Sequence, residues 1–123
     1  EPPTPSEYEV WAKRLEQPNY LPEGQFIALE GDTMVGTSML WSRQADSDLQ
    51  TGTTGVLRSH RRRGIALALK LKAIEFAGKR GAPIIRTDNA ETNIGMLSIN
   101  RALGFMPQPA WLIYVKNLEP QVE

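Results

Sequence analysis

The chain of 123 residues contains no cysteine and a single histidine. The first absence excludes disulfides, thiolate metal sites and a cysteine nucleophile, and the second argues against a metal site built on imidazole ligands. No apolar run reaches the length of about 18 residues that a membrane span needs, and no signal-peptide pattern is visible. The sequence therefore predicts a cytoplasmic protein with no bound metal and no membrane partner.

The chain also lacks an excess of either charge, since 14 Lys and Arg residues stand against 14 Asp and Glu residues. A general nucleic-acid-binding protein is normally basic, so the balance argues against that class. The basic residues are nevertheless concentrated, and the cluster comprises Arg58, Arg61, Arg62, Arg63, Lys70 and Lys72. This concentration favours a local anionic ligand over a long polyanion, although a nucleic-acid-binding domain that uses the arginine run stays open as a weaker alternative.

The basic cluster lies between a short apolar strand that ends near Val56 and an amphipathic helix predicted to begin at about Arg62. The first turn of a helix has backbone N–H groups without intrahelical acceptors, and the helix dipole makes that end positive. Gly64 lies within the turn. The order strand, basic glycine-containing turn, helix therefore predicts a site for a phosphate or pyrophosphate.

The first half of the chain alternates turn-forming residues with apolar segments, which predicts one helix and three strands. In order we expect an extended tail over 1–5, a helix capped by Ser6 and ending before Pro18, a loop over 19–24, strands over 26–29 and 34–41 joined by a hairpin at 30–32, a loop over 42–49, and a strand over 51–57.

The second half predicts a long helix that ends at Gly81, a short strand over 83–87, a helix over 93–103 and a last strand over 111–115. A strand, crossover helix and following strand form a right-handed parallel unit. The expected fold is therefore a single α+β domain over 1–123, with a mixed, mostly antiparallel central sheet and helices packed on both of its faces.

Three motifs at these positions resemble the GCN5-related N-acetyltransferase (GNAT) family over residues 6–117. The first is the turn from Arg61 to Ala66, which matches the family's Arg/Gln-x-x-Gly-x-Gly/Ala pattern. The second is Val56, five residues before Arg61, where the family ends its fourth strand. The third is the segment that starts at Asn93 and ends in Leu-Gly-Phe at Phe105. Small-molecule acetyltransferases are the nearer branch.

The resemblance implies the acyl-CoA N-acyltransferase fold, in which two neighbouring parallel strands splay apart in a V and hold acetyl-coenzyme A. Backbone amides of residues 62–66 would cradle its pyrophosphate, and a side chain at Gly64 would crowd the phosphate. Val56 and Arg58 would pair with the pantetheine arm, and the N–H of Val56 or Leu57 would polarise the thioester carbonyl. The cofactor-binding residues implied are Val56, Leu57, Arg58, Arg61, Arg62, Arg63, Gly64, Ile65, Ala66 and Asn93, of which Asn93 can equally be a helix N-cap.

The reaction implied is direct attack by a neutral primary amine of a small molecule on the thioester. Family members often protonate the leaving thiolate with a tyrosine, whereas this chain has Asn100 at the matching position, and an amide supplies no proton at neutral pH. The strand over 51–56 contains no carboxylate to act as a base. Asp88 is the candidate base, with Glu30 and Glu91 as rivals.

The chain departs from the family pattern at its start, where the first strand and helix of the family are missing. Either the chain is trimmed or it is the second half of a tandem protein, so a homodimer or a missing N-terminal half-domain is an expected partner. The sequence thus leaves two main readings: an acetyl-coenzyme A-dependent N-acetyltransferase acting on a small amine, or a non-catalytic half that binds coenzyme A or only a partner domain.

Overall fold

A computed structural model describes residues 8–89, 92–109 and 114–118 of the chain. The elements, in order, are α1 (Tyr8–Lys13), a 3-10 turn (Arg14–Glu16), β1 (Tyr20–Glu30), β2 (Thr33–Ser42), β3 (Leu49–Val56), a 3-10 turn (Arg58–His60), α2 (Ile65–Arg80), β4 (Ile85–Arg86) and α3 (Ile94–Ala102). In this part of the chain no helix has both the length and the apolar character needed to cross a membrane.

The four strands form one mixed sheet in the order β1-β2-β3-β4. β1 and β2 form an antiparallel hairpin whose turn contains Gly31, and β2 pairs with β3 in the same antiparallel sense. β4 joins β3 in parallel, after the crossover made by α2. The expected mixed, mostly antiparallel sheet is confirmed.

The parallel pair of strands is short, and this shapes the site. β3 and β4 pair only at Leu49 with Ile85 and at Gln50 with Arg86, while β3 continues to Val56. Arg86 also binds the buried carboxylate of Asp48, with Nη2 2.9 Å and Nε 3.0 Å from Oδ2, and this ion pair fixes the vertex. Beyond the vertex the two strands separate, as the expected V-shaped splay requires.

The two faces of the sheet have different neighbours, because successive side chains of a strand point to opposite faces. On one face Leu40 and Leu49 pack against Ala73 and Ala77 of α2, and these residues form the core. On the other face Trp41 lines a cavity, and α1 and the turn that follows it also contribute to that cavity's wall.

The predicted starts of the first strand and of the long helix were wrong. In the first case a proline and a glycine lie inside a strand, and in the second two residues have left-handed backbone conformations. Residues 20–24 of the predicted loop over 19–24 lie in β1, which begins at Tyr20; the pairing with β2 shifts between Tyr20 and Gln25, so this part of the strand accommodates a proline and a glycine. The long helix begins at Ile65 and not at about Arg62, because Arg62 and Gly64 have φ values of 63° and 79°, which no α-helix contains.

The other boundaries agree within a few residues, with differences at the strand ends. β3 spans Leu49–Val56 where we expected 51–57, and β4 contains two residues where we expected 83–87. Ser6 and residues 110–113 lie outside the described residues, so the proposed cap and most of the last strand have no structural counterpart to compare. Tyr114 and Val115, the end of that predicted strand, are described and are not in a strand.

Candidate active site

The N-terminus of α2 presents free backbone donors. The first helical hydrogen bond within α2 runs from the N–H of Ala68 to the carbonyl of Gly64 (3.0 Å). Gly64 is the N-cap residue, and its lack of a side chain leaves the N–H groups of the first turn without a capping oxygen. Since these donors point out of the positive end of the helix, they form a cradle for an anion. We call residues 62–66 the phosphate cradle.

The backbone of the cradle explains its glycine. Gly64 has φ 79°, a left-handed conformation that costs a residue with a Cβ about 1–2 kcal/mol. A Cβ built at this position would have no atom of the described residues within 4 Å. The glycine is therefore needed for the turn itself, and the open space above it is available to a ligand.

The hairpin between β1 and β2 holds the segment that leads into the cradle. The carboxylate of Glu30 lies 3.2 Å from Nε2 of His60 and 3.9 Å from Nη1 of Arg63, and Ser59 Oγ shares a hydrogen bond with Nδ1 of His60 (2.7 Å). Glu30, a rival for the role of base, is thus engaged beside the phosphate cradle.

The basic cluster splits into two groups in space. The four arginines are exposed around the cradle, and Arg61 donates from Nε to the carbonyl of Val56 (3.2 Å). Lys70 is buried, with 4% of its surface exposed, and its ammonium is directed at α3, while Lys72 lies 4.0 Å from Glu75. Grouping the two lysines with the anion site was therefore wrong.

The edge of β3 that faces the splay carries the donor predicted for a thioester carbonyl. Leu57 donates its N–H to the carbonyl of Val35 in β2 (2.8 Å), so this N–H is already engaged. Because donors alternate between the two edges of a strand, the N–H of Val56 points to the opposite edge. At this position that edge of β3 is no longer paired with β4. Of the two N–H groups considered in the sequence, Val56 is the one that remains available to a ligand.

A bulge interrupts β3 on its way to the vertex. Ser38 pairs with Thr54, but Leu40 pairs with Thr51, so β3 has two residues, Gly52 and Thr53, opposite one in β2. Such bulges redirect the backbone and often lie beside active sites. A Cβ added to Gly52 would overlap the indole nitrogen of Trp41, so the glycine lets this ring lie against the bulge.

A cavity of about 830 Å³ opens at this bulge, on the face of the sheet opposite α2. Its walls include Trp11, Arg14, Trp41, Gln50, Gly52 and Thr53. The open edge of β3 thus connects the phosphate cradle at one end to a cavity large enough for a small molecule at the other. We call this the acceptor cavity.

Asp88 lies at the vertex of the splay, two residues beyond the end of β4. Its Oδ2 accepts a hydrogen bond from Nε2 of Gln50 at 3.4 Å, and Gln50 lines the acceptor cavity. The carboxylate is exposed, so water and a proton can reach it. The other rival base, Glu91, lies outside the described residues.

Asn100 lies in a buried polar network that the sequence reasoning missed. Its Oδ1 accepts from Nζ of Lys70 and its Nδ2 donates to Oδ1 of Asn89, both at 2.7 Å. The ammonium also lies 5.4 Å from the ring centroid of Phe105. Burial lowers the pKa of Lys70 below its ordinary value of 10.5. Lys70 follows Ala66 by four residues and precedes Ala73 by three, a spacing that places it on the inner face of α2.

Asn93 caps α3, as one of its two readings predicted. Its Oδ1 accepts from the N–H of Met96 at 3.3 Å, and Ile94 begins the helix. The side chain is exposed at the end of the segment that follows β4. Its predicted contact with the cofactor is compatible with this cap and stays a prediction.

The chain belongs to the GNAT acetyltransferase family. The family model, described as "Acetyltransferase (GNAT) family", matches residues 1–105. Acetyl-coenzyme A is the cosubstrate of GNAT enzymes, and the family assignment confirms both the resemblance and the expected cofactor. A comparison with curated protein sequences finds no match.

Solved structures with the same fold include several acetyltransferases. One is the aminoglycoside acetyltransferase AAC(6')-Iy, in complex with a CoA bisubstrate analogue: it is 22% identical, the match covers 89% of this chain and 77% of that one, and the TM-score is 0.70. An aminoglycoside acetyltransferase from an uncultured soil sample is 23% identical over 92% and 77% of the two chains, with a TM-score of 0.67.

A third is the ribosomal-protein-S18-alanine N-acetyltransferase of Escherichia coli, which is 18% identical over 82% of this chain and 61% of that one, with a TM-score of 0.70. At such identities the likeness establishes the shared acyl-CoA N-acyltransferase fold. These fold neighbours act on different acceptors, so the acceptor of this chain has to be inferred from its own site.

Proposed function

We propose that this protein transfers the acetyl group of acetyl-coenzyme A to a primary amine of a small molecule, by direct attack in a ternary complex. The observation that carries the proposal is the continuity of the open edge of β3, which runs from the phosphate cradle to the bulge in the wall of the acceptor cavity. A long cosubstrate with a pyrophosphate at one end and a thioester at the other suits this path.

The described residues fit such a cosubstrate. The first-turn N–H groups of α2 would bind the pyrophosphate, and Arg58 and Arg62 would add positive charge, since neither forms an ion pair within the described residues. Val56 would donate its N–H along the open edge, as a residue in an added strand does. Asn93 would contact the arm from the segment after β4. When bound, acetyl-coenzyme A supplies the thioester that the amine attacks.

The amine must lose a proton before or during the attack, and we assign Asp88 as its acceptor. The carboxylate lies at the vertex of the splay and is linked to the cavity wall through Gln50. A proton would pass to it directly or through one water, since general bases act at hydrogen-bond distance or through one intervening water. The bond that forms joins the amine nitrogen to the acetyl carbon, and the carbon–sulfur bond breaks.

We assign Asn100 a role different from the catalytic one that its position in the family motif implied. Both polar atoms of its amide are already engaged in the buried network with Lys70 and Asn89. Asn89 directly follows Asp88 in the chain, so Asn100 is a positioning residue for the segment that carries the proposed base. The leaving thiolate would then take its proton from water.

A second candidate function is a half-domain that binds coenzyme A without catalysis. The specific observation in its favour is that Asn100, which stands where family members often have a tyrosine, is only 6% exposed and has no proton to give. In this case the cradle would bind the cosubstrate and the acceptor cavity would not be used for turnover.

A thiol-release assay separates the two candidates. The full chain is incubated with acetyl-coenzyme A and a panel of small primary amines, and free thiol is followed with time. The proposal predicts turnover with at least one amine, and a loss of about 10²-fold in Asp88→Asn with acetyl-coenzyme A binding retained. Binding without turnover across the panel would instead establish the half-domain, and full activity in Asp88→Asn would exclude this carboxylate as the base.

A further inference from the structure

The ionisable side chains in the described lining of the acceptor cavity are both cationic. Among the described residues that line it, the ionisable side chains are Arg14 and Arg43. Arg43 is paired, with its Nε 3.0 Å from Oδ1 of Asp46. Arg14 forms no ion pair within the described part of the chain, so its guanidinium is available to a ligand. The described wall of this cavity thus offers an uncompensated cation and no carboxylate.

A polycationic acceptor is a poor match for such a wall. Aminoglycosides carry several ammonium groups, and in this cavity they would approach the guanidinium of Arg14, which has no carboxylate partner within the described residues. Like charges a few Å apart repel, and the repulsion grows where the walls exclude water. The fold is shared with aminoglycoside acetyltransferases, but the charge of this cavity favours the opposite kind of ligand.

Two tryptophans give the cavity wall an apolar patch among otherwise mostly polar or small neutral residues. Trp41 packs on Tyr20 with ring centroids 5.6 Å apart and is held against the bulge at Gly52. Trp11, on α1, lines the same cavity and has 40% of its surface exposed. Two indole rings offer an apolar surface to the body of a ligand. The site therefore combines an apolar patch formed by two tryptophans, a guanidinium on the turn after α1 that is unpaired within the described residues, and, at the vertex, Gln50 bound to the carboxylate of Asp88.

We propose that the acceptor is an amine that also carries a carboxylate on an apolar body, as an apolar α-amino acid does. The carboxylate would pair with Arg14, the apolar body would lie against Trp11 and Trp41, and the amine would be directed toward Asp88. A guanidinium binds a carboxylate through paired N–H groups, which gives orientation as well as affinity. This inference rests on the proposed function, because it names the substrate class of the same site.

The test compares each acid with its amide. L-phenylalanine, L-leucine and L-methionine are titrated beside their amides and beside sisomicin, in the presence of coenzyme A, and binding is followed by tryptophan fluorescence, since two tryptophans line the cavity. Thiol release from acetyl-coenzyme A is measured with the same compounds. The amide has the more readily deprotonated amine, so a preference for the free acid in thiol release does not come from a larger fraction of neutral amine.

We expect at least one acid to bind more tightly than its amide by about tenfold or more, the size typical of one charge-assisted contact. The preference should disappear in Arg14→Gln. Lys13→Gln is the matched control, since Lys13 is the adjacent exposed cation and does not line the cavity. Circular dichroism of both variants checks that they remain folded.

Equal or tighter binding of the amides or of sisomicin would overturn the inference, and so would an acid preference that survives in Arg14→Gln. Failure of the proposed function has a different signature. If the acids bind selectively and no compound releases thiol, the ligand class stands and acetylation does not. If sisomicin or the amides are acetylated more efficiently than the acids, acetylation stands and the ligand class does not.

Discussion

The replacement Gly64→Ala tests the phosphate cradle with the smallest possible change. Gly64 has φ 79°, and no atom in the described part of the chain would touch the added methyl group. The variant therefore isolates backbone conformation from steric conflict within the protein. An L-residue in this conformation costs about 1–2 kcal/mol, and the reduced freedom of the unfolded chain offsets about 0.4–1 kcal/mol of it.

The expected net effect is a loss of about 1 kcal/mol, which corresponds to about fivefold in an equilibrium constant. If the free protein keeps the left-handed turn, the loss appears in the free energy of unfolding. If the turn relaxes, the loss appears in binding, because the ligand must restore the cradle. The methyl group would also project into the space that the pyrophosphate is proposed to occupy, so we expect the Kd of acetyl-coenzyme A to rise by about fivefold or more.

The same helix provides matched controls. Gly81 ends α2 with the same φ of 79° and the same open space, far from the cradle. Gly81→Ala should lose about as much unfolding free energy while leaving the Kd unchanged. Gly78→Ala, inside the helix and also unobstructed, should gain about 0.5–1 kcal/mol because alanine favours helix. Urea denaturation and calorimetric titration provide the two readouts.

If the Gly64→Ala protein binds acetyl-coenzyme A as tightly as the unaltered chain does, Gly64 is not part of a phosphate-binding turn. Equal weakening of binding in Gly81→Ala would also refute the reasoning, because the effect would then come from the helix as a whole and not from the cradle.

Three further predictions concern packing and the buried network. Gly52→Ala should displace the indole of Trp41, with a shift in tryptophan emission and a loss of about 1–3 kcal/mol in urea denaturation; unchanged emission would contradict the close contact. Asn100→Ala should lose about 1–3 kcal/mol, since it leaves the Lys70 ammonium without its acceptor; unchanged stability would show that the network contributes nothing. Burial lowers the pKa of Lys70. At a pH between that lowered pKa and 10.5, the unfolded chain binds more protons than the folded chain, so the free energy of unfolding rises with pH. Lys70→Met should lack this rise.

Local signals allowed much of the fold to be predicted from the sequence. Gly81 ends α2 and Asn93 caps α3 because both features depend on residues a few positions away. The hairpin at Gly31 and the parallel crossover are likewise decided by neighbouring turns and by chain order. The start of β1 at Tyr20 was missed because Pro22 and Gly24 normally end strands, and the pairing with β2 overrides them.

The parts of the site that depend on contacts between residues far apart in the sequence could not be predicted from local sequence patterns. The pairing of Lys70 with Asn100 joins residues thirty positions apart, and no turn or cap signal marks it. Arg14, which forms no ion pair within the described residues, looks in the sequence like any exposed basic residue, and only the bulge in β3 and Trp41 place a cavity beside it. The glycine-containing turn and the helix start that form the proposed cradle could be predicted because one continuous segment contains them.

The central claim is that the phosphate cradle and the open edge of β3 hold acetyl-coenzyme A. Calorimetric titration of acetyl-coenzyme A into the full chain, with dephospho-coenzyme A as the comparison, tests it most directly. We expect saturable one-to-one binding, and weaker binding of the dephospho form because the exposed arginines would lose the charge of the 3′-phosphate. The absence of saturable binding would contradict the account.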